Sequence, residues 1–174
     1  GEIYNHHQLR RECEAAGDTF HSRTDTEVVL ALYRRYGIGM LSRLRGMFAF
    51  AIWDPIVEAL FLVRDRVGKK PLNFVLAADG IVFASEIDPL SRYPGVSREL
   101  DAEALELYLQ LQFIPAPWSV YRSIRKLEPG HFAKYSRHGL EVHRYWEVDY
   151  RKKVEVSLNG AIEALDNEVR EAVA

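Results

Sequence analysis

The sequence holds 174 residues, 48% of them hydrophobic and 28% charged, with 23 basic and 25 acidic side chains giving a formal charge of −2. It is too apolar for a disordered chain and lacks the basicity of a nucleic-acid-binding or polybasic membrane-binding protein. Its longest apolar run, Met47 to Trp53, falls far short of the roughly 20 residues that span a bilayer.

One cysteine, Cys13, excludes an internal disulfide and any zinc site built on several thiolates, and a reducing cytoplasm is the expected compartment. The chain opens at Gly1 without a methionine and closes at Ala174 inside a helical pattern, so truncation at both ends is expected.

Residues 7 to 16 read as a short helix, with Leu9, Cys13 and Ala16 on one face and Gly17 as its stop. A second helix starts at Thr24-Asp25-Thr26-Glu27, which fits a capping box with Glu27 reaching back to the cap. Its expected buried face carries Val28, Val29, Leu32 and Tyr36, and Gly37 ends it. A further short helix holds Met40, Leu41 and Leu44 and stops at Gly46.

The period then becomes extended. Met47 to Trp53 and Ala59 to Val63 are continuous apolar runs that predict buried central strands. Leu72 to Ala77 and Ile81 to Ala84 flank Asp79-Gly80 and predict a tight hairpin. Four strands in succession without long crossovers imply a mainly antiparallel sheet.

Asp101 is placed to cap a fourth helix, with Leu100 and Leu105 as a hydrophobic staple and Leu109 extending the face. After Pro115-Ala116-Pro117, a late hairpin is predicted from His131 to Ser136 and Leu140 to Trp146, turning at His138-Gly139. Past the charged stretch Asp149 to Lys153, Ser157 opens a helix whose Leu158, Ile162, Leu165, Val169 and Val173 form one stripe. That stripe needs a partner and reads as the start of a second domain.

Four groups could carry chemistry. Glu2 and Asp25, one at a strand end and one at a helix start, could together hold an ammonium group; the alternative is a helix cap plus a surface acid. Arg64-Asp65-Arg66-Val67-Gly68-Lys69-Lys70-Pro71 could bind phosphate, but its spacing is not that of a P-loop, and a solvated or ion-paired turn is the competing reading. The six histidines, His6, His7, His21, His131, His138 and His143, show no zinc-hydrolase spacing. Cys13, mid-helix on an apolar face, reads as a small hydrophobe rather than a nucleophile.

Taken together, the segments Gly1-Glu2-Ile3-Tyr4-Asn5, Thr24-Asp25-Thr26-Glu27-Val28 and Gly46 to Asp54 resemble the glutamine amidotransferase domain of glutamine-hydrolysing asparagine synthetases. Arg64-Asp65-Arg66 with Gly68 and Lys70-Pro71-Leu72, then Phe83-Ala84-Ser85-Glu86-Ile87, then Lys126-Leu127 with Pro129-Gly130-His131, continue the likeness in order. The resemblance implies an α+β fold of the N-terminal-nucleophile hydrolase type, a four-layer αββα sandwich with mainly antiparallel sheets, incomplete at its N-terminus. It places the amidotransferase domain at residues 1–148, and the linker and first helix of an ATP-binding synthetase domain at residues 149–174.

In that family an N-terminal cysteine attacks the glutamine amide, with its own α-amino group as base, giving a glutamyl thioester and ammonia. The ammonia passes to a second domain, where ATP activates aspartate. The resemblance assigns an oxyanion-hole backbone N–H to Gly1 and binding of the substrate α-amino group to Glu2 and Asp25. The nucleophilic cysteine, the carboxylate-binding arginine and the oxyanion-hole asparagine have no counterparts in the present sequence, and Gly1 as it stands offers an amine rather than a peptide N–H. This polypeptide is therefore expected to be inactive as a glutaminase.

No metal is expected here, and ATP and Mg²⁺ are implied only for the synthetase domain. The implied partners are glutamine, with aspartate and ATP for the parent and a homodimer as one option; neither nucleic acid nor membrane is implied. Two alternatives remain: a related amidotransferase with another acceptor, as in surface-polysaccharide modification, and a non-catalytic glutamine-binding or interaction module. Asn73-Phe74 departs from the two aromatics usual in the family.

Overall fold

The computed structural model describes residues 1–151 and 153–173; Lys152 and Ala174, which fall in the expected linker and last helix, lie outside the described residues. The chain begins with β1 (Glu2–Ile3), α1 (His6–Ala15), α2 (Asp25–Tyr36), a 3-10 turn over Gly37–Ser42, β2 (Gly46–Met47), β3 (Ala49–Asp54) and β4 (Ala59–Arg64). It continues with β5 (Asn73–Ala77), β6 (Gly80–Ala84), α3 (Ile87–Ser91), α4 (Ala102–Leu111), β7 (Arg125–Lys126), β8 (His131–Ser136), β9 (Gly139–Arg144) and α5 (Leu158–Val173). None of the described helices is long and apolar enough to cross a membrane.

The strands form two larger antiparallel sheets, ordered β3-β4-β8-β9 and β6-β5-β7, with β1 and β2 as a separate pair. Three apolar clusters show how the layers stack. Leu9, Val28, Leu32, Met40 and Leu44 pack with Ile52 and Val63, joining α1, α2 and the 3-10 turn to one face of the first sheet. Leu62 and Ala133 from its other face meet Leu72 and Phe74, which joins the two sheets. Val75 then packs with Leu90 and Ile124, covering the outer face of the second sheet. β4 alternates between the first two clusters and reads as a continuous apolar run because both of its faces are buried.

The four successive strands do not share one sheet, as their spacing suggested. β3 and β4 belong to the first sheet and β5 and β6 to the second, because the Arg64–Pro71 turn carries the chain from one layer to the next. Nor is Met47–Trp53 a single buried strand. Phe48 interrupts it, β3 forms a sheet edge, and Trp53 is exposed.

Several local expectations shift. Thr24 makes no side-chain cap bond; Glu27 instead accepts the backbone N–H groups of His21 and Ser22, at 2.8 and 2.7 Å, and the Ser22 hydroxyl. The residues before the helix fold back over its first turn, so the carboxylate reaches further upstream than a capping box would. Tyr36 is half exposed, and α2 buries Val28, Val29, Ala31 and Leu32. Asp101 does cap α4, accepting from Ala104 N at 3.2 Å, but Leu100 and Leu109 are exposed and only Ala104 of that helix is buried. Both hairpins turn one residue earlier than predicted, at Ala78-Asp79 and Arg137-His138, with the glycine opening the returning strand.

Candidate functional site

β1 and the start of α2 meet over a cavity of about 160 Å³, and Gly1, Glu2 and Asp25 all line it. Its walls are α2, through Thr26, Val29 and Leu30, and β3, beginning at Ala49. At the far end of those walls Tyr33 Oη donates to Asp54 Oδ2 at 2.9 Å, tying α2 to β3. Burial, followed by that bond to Asp54, pushes the Tyr33 hydroxyl up to about 12, so it remains a donor at neutral pH.

Asp25 is the first residue of α2, and its Oδ2 accepts the Ile3 backbone N–H at 3.0 Å. One carboxylate oxygen is thus anchored on β1, beside Glu2. Its Oδ1 is in reach of the Thr26 hydroxyl at 3.4 Å, a long contact that leaves that oxygen's remaining lone pairs open to a ligand. Two carboxylates over one partly apolar cavity suit an ammonium group, which each can bind by a charge-assisted hydrogen bond.

The backbone around Gly1 and Glu2 is closely fitted. Glu2 pairs with Met47 and Ile3 with Gly46, while the Asn5 side chain donates to Arg43 O and accepts from Arg45 N, both at 3.0 Å. A Cβ on Gly1 would stand 2.8 Å from Met47 O and 3.0 Å from Phe48 Cα, so only glycine permits this approach. Gly46 has φ +148°, and a Cβ there would fall 2.1 Å from Glu2 O.

The Arg64–Pro71 turn exposes Val67 and Lys69 to solvent, as a solvated turn would, but it is built around a buried acid and is not a phosphate cradle. Asp65 is fully buried and accepts four backbone N–H groups, from Phe48, Val67, Lys69 and Lys70, at 2.9 to 3.3 Å. The concave set of amides that would cradle an external anion is filled by a carboxylate of the chain itself. Arg64 donates to the carbonyls of Gly68, Lys70 and Leu127 rather than to an acid, and burial lowers its basicity.

The remaining groups stay outside the site. Among the described residues no cluster of His, Cys, Asp or Glu is arranged to hold a metal ion. Cys13 is buried in α1 among apolar neighbours, and burial, then Asp18, raises its thiol above the ordinary range. The sequence did not point to Thr26 or Phe48 as lining residues, or to Asn5 as a brace. Only the break in the strand at Phe48 places that residue there, and an apolar run carries no mark of where it breaks.

The model of the glutamine amidotransferase domain matches residues 1–146. Asparagine synthetase [glutamine-hydrolyzing] 1 of Bacillus subtilis (strain 168) is 45% identical over 130 residues, covering 75% of this chain and 20% of that protein. A putative asparagine synthetase [glutamine-hydrolyzing] of Mycobacterium tuberculosis (strain ATCC 25618 / H37Rv) is 43% identical over 138 residues, covering 77% of this chain and 21% of that protein. The chain thus spans about a fifth of the length of these relatives. Among solved structures, glutamine phosphoribosylpyrophosphate amidotransferase from B. subtilis superposes with a TM-score of 0.59 at 24% identity, over 84% of this chain and 28% of that one. That likeness extends to the fold, and it agrees with the αββα layering expected of an N-terminal-nucleophile hydrolase.

Proposed function

The chain belongs to the glutamine amidotransferase domain family, and from that premise we propose that it is the glutaminase-side portion of an asparagine synthetase-like enzyme. The observation that carries this reading is the convergence of Glu2 and Asp25 on one cavity, with Asp25 anchored to Ile3 N. In this reading the two carboxylates take the α-ammonium group of glutamine, and Gly1 lies where its backbone would face the oxyanion of the tetrahedral intermediate. The reaction they serve is attack of a cysteine thiolate on the side-chain amide, release of ammonia, and hydrolysis of the resulting thioester to glutamate.

The parent would use the ammonia to amidate aspartate. The relatives' names support this acceptor, since both are asparagine synthetases. ATP and Mg²⁺ would serve a synthetase domain to which residues 149–174 contribute a linker and first helix. The exposure of Leu158, Ile162, Leu165, Val169 and Val173 along α5 supports that boundary, because a stripe of this kind is built to be covered.

The reading is checked by titrating the isotope-labelled chain with L-glutamine and following amide resonances. Saturable shifts at Ile3, Asp25, Thr26 and Phe48 are expected, together with weaker binding of a glutamine analogue lacking the α-amino group. Equal binding of both ligands, or shifts confined to other surfaces, would sink it.

A further inference from the structure

We propose that Asp65 is a positioning residue for the cavity of Gly1, Glu2 and Asp25, acting through the backbone of Phe48. Asp65 follows the last residue of β4 and is wholly buried. Among the described residues no cation lies within ion-pair distance of it, and its oxygens are met by backbone N–H groups: Phe48 N and Lys70 N on Oδ2, Val67 N and Lys69 N on Oδ1. Its own N–H donates to Phe48 O at 2.9 Å while Phe48 N donates to its carboxylate at 3.3 Å. One residue thus grips both backbone groups of Phe48.

That grip falls where β2 ends at Met47 and β3 begins at Ala49. On one side of the break Met47 pairs with Glu2; on the other, β3 forms a wall of the cavity. Phe48 itself lines the cavity, and its Cα would stand 3.0 Å from a Cβ on Gly1. A shift of Phe48 therefore moves Gly1 and Glu2 relative to Asp25, whose bond to Ile3 N depends on the same strand. The charged turn acts on the site from beneath, and no atom of Asp65 needs to touch the ligand. The effect on affinity rests on the glutamine reading of the cavity; the effect on geometry does not.

Asp65→Asn preserves shape but sets an amide N–H₂ against backbone N–H groups. In the ligand-free variant the amide resonances of Glu2, Ile3, Asp25 and Phe48 should move while those of Val75 and Val82 stay, and the glutamine dissociation constant should rise at least tenfold. Leu90→Ala, remote in the third cluster, serves as a control for lost stability alone and should leave both readouts unchanged. An Asp65→Asn protein that loses only thermal stability, with the Glu2, Ile3 and Asp25 resonances unmoved, overturns the proposal.

Should that variant fail to fold, native-state hydrogen exchange in the unsubstituted protein decides. The amides of Ile3, Phe48, Val67, Lys69 and Lys70 are expected to exchange through one common opening below global unfolding. Ile3 exchanging separately, while the other four stay protected, overturns the proposal as well. A wild-type protein that ignores glutamine refutes the reading of the cavity and leaves both of these geometric tests standing.

Discussion

Asp25 Oδ2 accepts the backbone N–H of Ile3 at 3.0 Å, which joins the first residue of α2 to the strand that carries Glu2, twenty-two positions earlier in the chain for Ile3 itself. An acid in the first turn of a helix is already favoured by the helix dipole. Here its carboxylate also bonds β1, so a residue that could have been only a helix-start acid lines the cavity beside Glu2.

Replacing either carboxylate by its amide separates binding from folding. Glu2 is exposed, so Glu2→Gln should change stability by no more than about 0.5 kcal/mol. Loss of a charged hydrogen bond to the ligand ammonium, worth about 1.5–3 kcal/mol, should weaken glutamine binding roughly 10- to 100-fold. Asp25→Asn should weaken it similarly and keep an oxygen for Ile3 N. Calorimetric titration with L-glutamine reads the affinity and thermal unfolding reads the stability. In a full-length parent, glutamine-dependent synthesis should fall while ammonia-dependent synthesis persists; equal loss of both would point to misfolding.

Much of this arrangement was legible before the structure. Residue type and the resemblance both single out Asp25 and Glu2, while the layering comes from the resemblance alone: the apolar runs mark strands, and in β4 a strand buried on both faces, but not which sheet each strand joins. What was not legible depends on chain path. The sequence around Asp65 reads as a surface turn because its neighbours are Arg64, Arg66, Lys69 and Lys70; only the fold shows Asp65 turned inward to backbone amides while Arg64 and Arg66 donate to backbone carbonyls. Similarly, a run from Met47 to Trp53 carries no mark of the break at Phe48, where both backbone groups bond to Asp65, seventeen residues later.

Gly46→Ala should damage both stability and site. The added Cβ would stand 2.1 Å from Glu2 O, and φ +148° is a conformation few side chains accept. Strain of this kind costs on the order of 1–3 kcal/mol, and its relief requires β1 to move away from β2. Denaturant unfolding should show the loss in midpoint, and glutamine affinity should fall in the protein that remains folded.

The acid limb of the stability curve should carry a signature of Glu27. Its three bonds from Ser22 and His21 hold its carboxyl down to about 2, the Ser22 hydroxyl being the largest cause. A depressed carboxyl stabilises the fold above its unfolded value, about 4.3, and that contribution is lost as pH falls through about 2. Glu27→Gln should therefore lower the melting temperature at pH 7 more than at pH 2. A constant difference between the two proteins across that range would show that the carboxylate charge contributes nothing.

Cys13 supplies the sharpest prediction about chemistry, since it is the one thiol in the sequence. It lies 2% exposed on the inner face of α1, against α2 and the first sheet. Burial, and after it the negative charge of Asp18, raises the thiol, which disfavours the thiolate that would be the nucleophile. Neither access nor ionisation thus suits attack on an amide. Alkylation by iodoacetamide at pH 7.5 should be slow in the folded protein and rise steeply with denaturant, tracking unfolding. Incubated with L-glutamine, the chain should release no glutamate above a protein-free control. Cys13→Ser should leave that background unchanged. Glutamate release that disappears on this substitution would make Cys13 a nucleophile and would require α1 to open.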